Sequence, residues 1–279
     1  MQLLLTNDDG ILAYGLDALV KAASPLGEVT VVAPDREQSA TSHSLTLHHP
    51  VRAVERGPRR YQVDGTPTDC VMLAIEALMP ARPDFVLSGV NHGHNMGEDV
   101  LYSGTVAAAT EGVMLGVPAM AISFAGGDLM ADPALLGDQV DALTRLLAHL
   151  TSLTAMPHDT LLNINMPPLR AKDIKGVRLT RLGRRVYSDS LMRMKDPRGR
   201  DIYWIGGGSA SWSGPEDSDF RAVRDGFISV TPLTLDGSSS IFVCVRSSVS
   251  GVTEMKPSRT ARKSESSGPL QLALPPPIQ

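Results

Sequence analysis

The sequence predicts an α/β protein with a mostly parallel sheet, and three observations predict it. Short apolar runs alternate with segments of helical periodicity through the first 125 residues. Strands separated by helices imply right-handed crossovers between parallel neighbours. Three apolar runs each give way to a polar stretch, NDDG, PDREQS and SGVNHGHN. Such stretches are expected to meet at the carboxyl edge of the sheet, where α/β proteins bind ligands.

Each element has its own signal. Gln2 to Thr6 reads as a buried strand stopped by the turn Asn-Asp-Asp-Gly. Leu16, Leu19 and Val20 recur at helical spacing, and Pro25 closes that segment. Glu28 to Ala33 reads as a second strand, ended by Pro34. Thr66-Pro67-Thr68-Asp69 is a helix start, with Thr as cap, Pro in the first turn and Asp three residues after the cap. Phe85 to Ser88 and Ala119 to Ser123 read as strands, with a helix from Val106 to Met114 between them. Leu136, Val140, Leu143, Leu147 and Leu150 mark one face of an amphipathic helix. Leu161 to Asn165 and Val177 to Thr180 read as strands. Residues 184–206 carry basic and aromatic side chains around a turn at Asp196-Pro197-Arg198-Gly199, which predicts a protruding hairpin or arm. Phe227 to Thr231 reads as a further strand, ended by Pro232. Residues 1–235 form one expected domain. From about Asp236 the composition shifts to Ser, Gly, Pro and basic residues, and disorder is expected from about residue 253.

Bulk properties narrow the function classes. Hydrophobic residues make up 42% and charged residues 20%, the proportions of an ordinary soluble protein. The formal net charge of −4 gives no reason to expect a nucleic acid polymer or an anionic membrane as partner. A small anionic substrate stays open, because a bound metal reverses the local sign. Cys70 and Cys244 lie too far apart for a metal-ligand spacing and make no disulfide framework. The opening MQLLLTNDDG lacks a basic leader, and no run reaches the ~18 apolar residues of a membrane span. A cytoplasmic location is the expectation.

The chemistry-bearing residues follow the predicted strands. Asp8 and Asp9 are adjacent carboxylates at a strand end, which repel unless a cation lies beside them. Asn-Asp-Asp-Gly also suits a plain exposed turn. Ser39 lies in the long loop after the second strand, where hydroxyls are commonly only solvated. Asn91 and Asn95 stand among Gly89, Gly93 and Gly97, without the spacing of a dinucleotide fingerprint. Ser103, Gly104 and Thr105 precede a run of small helix formers, so hydroxyls and free N–H groups gather at a helix N-terminus. That is an anion cradle and, compatibly, a plain N-cap. His43, His92 and His94 share these loops as acid or ligand, although surface histidines are commoner. The set of carboxylates, hydroxyls and amide carbonyls suits Mg²⁺ or Mn²⁺ rather than zinc.

At this point the chain resembles the SurE survival-protein nucleotidases. The matching segments include LLLTNDDGILAYGLDAL, VVAPDREQSATSHSLTL, VDGTPTDCVMLA, PDFVLSGVNHGHNMGEDVLYSGTVAAATEG, LLNINMP, DPRGRDIYWIGG and GFISVTPL, running to about residue 235. The resemblance implies a Rossmann-like domain with an arm exchanged between the subunits of a dimer or tetramer. It implies one divalent metal held by Asp8, Asp9, Ser39 and Asn91, with Asn95, Ser103, Gly104 and Thr105 on the phosphate side. The implied activity is hydrolysis of nucleoside 5′- and 3′-monophosphates, with short polyphosphate as a further substrate. Asp8 and Asp9 would be catalytic, with Asp9 the better candidate for orienting water. An aspartyl-phosphate enzyme and a non-catalytic nucleotide-binding regulatory module are the competing readings. After the SVTPL strand the sequence departs from the family pattern.

Overall fold

The computed structural model describes residues 1–126, 133–153, 158–187, 191–205, 210–236, 240–243 and 271–272. The chain opens with β1 (Gln2–Thr6), α1 (Tyr14–Ala23) and β2 (Glu28–Pro34). A hairpin follows, β3 (Ala53–Gly57) and β4 (Arg60–Val63), which sequence periodicity does not reveal. The strand AVERG is mostly exposed and has little apolar pattern to read. Next comes α2 (Pro67–Leu73) with the expected capping box. Thr66 accepts the Asp69 N–H, and the Asp69 carboxylate accepts the Thr66 N–H. The central segment is β5 (Phe85–His92), a 3₁₀ turn at Gly97–Leu101, α3 (Gly104–Met114) and β6 (Ala119–Phe124). Then come α4 (Pro133–Thr151), β7 (Thr160–Met166) and β8 (Val177–Leu179). The arm comprises β9 (Arg184–Tyr187), β10 (Leu191–Lys195), β11 (Asp201–Ile205) and β12 (Ala210–Ser213). The chain returns through α5 (Asp219–Arg224) and β13 (Ile228–Asp236), followed by β14 (Ser240–Val243) and β15 (Gln271–Leu272).

The main sheet runs β15-β8-β13-β7-β6-β5-β1-β2-β4-β3, with β14 also on β13. The block from β4 to β7 is parallel, and the alternating pattern predicts all of its strands except β4. Side-chain alternation divides the core into two layers. Leu3 and Leu5 pack with Leu16 and Leu19 of α1 and Leu143 and Leu147 of α4. Leu4 packs on the opposite face with Val71 of α2 and Val106, Ala108 and Ala109 of α3. The chain leaves β1 toward β2 on one side and returns as β5 on the other. The crevice at their carboxyl ends is therefore a topological switch point, the usual place for a ligand in an open α/β sheet.

Two expectations need correcting. Pro232 does not end its strand: β13 continues to Asp236, with Pro232 opposite Leu162 of β7. The Val230 carbonyl accepts the Thr180 N–H, so Val230 faces β8, and Pro232, two residues on, faces the same way. The β8 pairing stops at Val230, so the N–H that proline lacks has no ladder partner to lose. The arm also reaches beyond residue 206. β9 pairs with β12 as its root, and β10 pairs with β11 as its tip, both apart from the main sheet. The expectation of disorder from about residue 253 lies outside the described residues, except that Gln271–Leu272 pairs antiparallel with β8.

Candidate active site

The residues at the carboxyl ends of β1 and β5, the loop after β2 and the start of α3 come together at the switch point. Asp8 is buried and ends at the N-terminus of α3. Its Oδ1 accepts the Thr105 hydroxyl at 2.5 Å. A Cβ on Gly104 would lie 2.9 Å from Asp8 Oδ2 and 2.8 Å from its Cβ. No side chain fits there, so the helix must begin with glycine. Burial pushes the Asp8 carboxyl up to about 6; the hydroxyl and N–H of Thr105 oppose the rise, and the neighbouring Asp9 adds to it. Asp9 is half-buried and is pushed up mainly by burial, opposed by the His92 N–H that donates to its Oδ2 at 3.1 Å.

Asn91 and Ser39 approach from the two flanks. Asn91 donates its amide N–H to the Gly93 carbonyl at 2.9 Å, an orientation that leaves its own Oδ1 as an acceptor. His92, the next residue, bonds to Asp9, so β5 and the carboxylate pair are tied directly. The Gln38 N–H donates to the Asp8 carbonyl at 2.7 Å and brings the Ser39 loop against β1. The Ser39 hydroxyl itself donates to Glu37 at 2.6 Å, which leaves its oxygen lone pairs available. The loop is held farther on by His43 on buried Glu111 at 2.8 Å, Ser42 on the Leu101 carbonyl and Thr46 on Asp69.

The residues expected on the phosphate side are placed less uniformly. Ser103 caps α3, its hydroxyl accepting the Val106 N–H at 3.1 Å, as the cap reading expects. Asn95 is buried and belongs to a polar cluster. Its amide N–H donates to Ser123, its backbone N–H to Asn165, and its carbonyl accepts from Asn163 and Asn165. Thr105, expected on the phosphate side, donates its hydroxyl to Asp8. The anion at this helix N-terminus is the Asp8 carboxylate, which the Thr105 hydroxyl and N–H both serve.

Among the described residues, no three His, Cys, Asp or Glu side chains cluster as a metal cage. The donor set here is different: two carboxylates, a hydroxyl oxygen and an amide oxygen. Two adjacent carboxyls pushed up by burial, Asp8 further by Asp9 and Asp9 further by Glu37, are what a divalent cation relieves, and oxygen donors of this kind fit Mg²⁺ or Mn²⁺. The residues present therefore fit such an ion.

Beside the crevice, the loop after Asn91 forms part of a cavity of about 750 Å³. Its walls include His94, Met96, Ala125, Trp212, Phe220 and Arg221, and none of Asp8, Asp9, Ser39 and Asn91. Trp212 and Phe220 stack with centroids 3.8 Å apart, and His94 meets Trp212 edge-on at 5.2 Å. Burial pushes the His94 imidazole down, while Asp99 opposes that shift.

Sequence reasoning missed the second layer behind these residues. Asn163 and Asn165 alternate on one face of an otherwise apolar strand, and that spacing was the available signal for a buried polar cluster. Glu111 stands within the buried stretch Gly104 to Val113 of α3, which a run of small residues does not announce. Among the described residues no helix is long and apolar enough to cross a membrane.

Comparison with known proteins places the chain in a family. Residues 3–189 match the family described as Survival protein SurE. The 5'-nucleotidase SurE of Gemmatimonas aurantiaca is 72% identical over 236 residues, covering 85% of this chain and 93% of that protein. The proteins of the same name from Alkalilimnicola ehrlichii and Geobacter metallireducens are 51% and 48% identical, again over 85% of this chain and at least 90% of theirs. The crystal structure of the SurE protein from Aquifex aeolicus superimposes with a TM-score of 0.76 at 40% identity, covering 86% of this chain and 95% of that one. Sequence and fold thus agree that the chain belongs to the SurE family.

Proposed function

We propose that this chain is a metal-dependent 5'-nucleotidase that hydrolyses nucleoside monophosphates to nucleoside and phosphate. The observation that carries the reading is the pair Asp8 and Asp9 at the switch point, beside the N-terminus of α3. Nucleoside 3′-monophosphates and short polyphosphate are the further substrates, and Mg²⁺ or Mn²⁺ is the ion. Asp8, Asp9, Ser39 and Asn91 would hold it through oxygen atoms. Such an ion, when bound, neutralises phosphoryl charge and makes a water more acidic.

The protein's own groups do the rest. Thr105 fixes one oxygen of Asp8 and keeps the other turned toward Gly104. His92 fixes one oxygen of Asp9, and the other is free to orient the attacking water. Ser103 and the Gly104 N–H at the start of α3, with the second amide hydrogen of Asn95, are donors for the phosphoryl oxygens, whose charge shifts as the ester bond breaks. Water attacks phosphorus, the P–O ester bond breaks, and the nucleoside oxygen leaves as its hydroxyl. The aromatic cavity at Trp212 and Phe220 suits the base and ribose. The exposed side chains Leu191, Met192, Met194, Ile202, Tyr203 and Trp204 of the arm tip suit a second copy of the chain, as a homodimer or homotetramer. A cytoplasmic enzyme acting on free nucleotides is consistent with these assignments.

The test is phosphate release from a panel of nucleotides, polyphosphate and an aryl phosphate, with Mn²⁺, with Mg²⁺ and with chelator. Nucleotide hydrolysis that needs the metal is expected. Tight nucleotide binding without turnover under any metal would favour the regulatory module, and a trapped phosphoaspartate would favour the aspartyl-phosphate enzyme.

A further inference from the structure

The loop from Asn91 to Ser103 joins the metal side of the site to the phosphate side, and its shape rests on two buried anchors. One is the Asn95 cluster on β6 and β7 described above. The other is Asp219, the first residue of α5 and fully buried. Its Oδ2 accepts the Gly97 N–H at 2.8 Å, and its Oδ1 accepts the N–H groups of Gly183 and Phe220, each at 2.8 Å. These donors come from three parts of the chain: the site loop, the root of the arm and the wall of the aromatic cavity.

The fit is close on every side. A Cβ on Gly97 would lie 2.9 Å from Phe220 Cε2 and 3.0 Å from the Gly183 carbonyl oxygen. A Cβ on Gly183 would lie 2.6 Å from Phe220 Cδ2 and 3.0 Å from Asp219 Oδ1. Arg185 extends the contact, donating its N–H to Glu98 and pairing with Asp99 at 2.5 Å. A carboxylate so enclosed is costly unless its hydrogen bonds are all made. Retaining the acid at a place where burial raises its carboxyl argues that the three bonds matter.

We propose that Asp219 is a positioning residue for the nucleotidase reaction: its carboxylate clasps the Gly97 turn to the arm root at Gly183, so that the separation of Asn91 and Ser103 depends on where the arm sits. The proposal rests on the nucleotidase reading above. It goes beyond that reading by making the arm part of the site's geometry as well as a surface for a second copy. Asp219 touches no substrate and acts through the loop.

The experiment uses the full chain carrying Asp219→Asn, which keeps the shape but turns an amide N–H toward one of the backbone donors. Turnover of a nucleoside monophosphate at saturating Mn²⁺ is measured well below the unfolding midpoint, together with hydrogen exchange of residues 93–101 and 181–187. The expected result is joint loss of protection in both segments and a fall in kcat of about tenfold. Three of the four proposed Mn²⁺ ligands, Asp8, Asp9 and Ser39, lie outside this loop, and Asn91 lies at its start on β5, so Mn²⁺ affinity should change less than threefold. A purely structural role would lower the midpoint and leave kcat intact, and that outcome overturns the proposal. Should Asp219→Asn fail to fold, Gly97→Ala opens the same clasp from the loop side, and unchanged kcat in that folded variant overturns the proposal equally. Absence of metal-dependent hydrolysis in the unmodified protein would instead refute the nucleotidase reading.

Discussion

Asp8 and Asp219 are both buried carboxylates, both pushed up to about 6, and both seated against a glycine that leaves no room for a side chain. Their surroundings differ. Asp219 is enclosed by backbone donors from three segments, while Asp8 spends one oxygen on Thr105 and has a second carboxylate for a neighbour. A raised carboxyl alone therefore does not distinguish a site from a clasp. What separates them is the remaining valence: Asp219 has its partners, and the Asp8–Asp9 pair still needs positive charge.

The largest effect expected from this contrast is on turnover. Asp8→Asn or Asp9→Asn should lower kcat at least ~10²-fold, and chelation should abolish activity, because each removes charge that the transition state requires. Full activity of either variant in metal-free buffer would erase the distinction between the two carboxylates. Next in size is Thr105→Val. The hydroxyl that holds Asp8 is worth about 1.5 kcal/mol as a bond to a charged group. Mn²⁺ affinity should therefore fall about tenfold; titration of the ion against the variant measures it, and unchanged affinity would return Thr105 to the phosphate side alone.

A stability measurement sharpens the comparison. An acid whose carboxyl lies higher in the folded chain than in the unfolded chain holds its proton longer when folded. Stability falls as pH rises from about 3.8 to about 6, and the full penalty remains above that range. In chelator at pH 7, Asp8→Asn should raise the thermal midpoint, because it removes a charge with nothing to balance it and still accepts from Thr105. Asp219→Asn should lower the midpoint under the same conditions, because an amide N–H then faces a backbone N–H. Shifts of the same sign in both variants would mean that the two environments are equivalent. The smallest effect concerns the far end of the chain. A protein ending at Val252 loses the two-residue pairing of β15 on β8, and its turnover should be unchanged by the phosphate-release assay.

The parallel block of the sheet was legible because its strands are apolar runs with polar stops and its helices carry period and caps. The switch-point residues were legible for the same reason: they are the polar stops. The hairpin at β3 and β4 was not, since an exposed edge strand has no apolar face to give it a period. Pro232 misled because a local rule about proline cannot know that the neighbouring strand stops short of it. Thr105 has a partner that local sequence does not show. A helix N-terminus attracts an anion, and sequence alone does not say that the anion is a side chain of the same protein. Asp219, beside a capping serine, looks like an ordinary first-turn acid until Gly97 and Gly183 are brought to it by the fold.

The place of β13 has a consequence for how the chain is made. β7 and β8 follow one another in sequence, yet they do not pair; β13, some sixty residues later, lies between them and bonds to both. As the polypeptide leaves the ribosome, the parallel block through Met166 is complete while the outer edge of β7 still lacks its neighbour. At ~5–20 residues per second that edge stays open for several seconds before Ile228 emerges. An unpaired edge invites pairing with another nascent chain. The arm is synthesised within this interval, so its length sets how long the half-built sheet must wait to be closed.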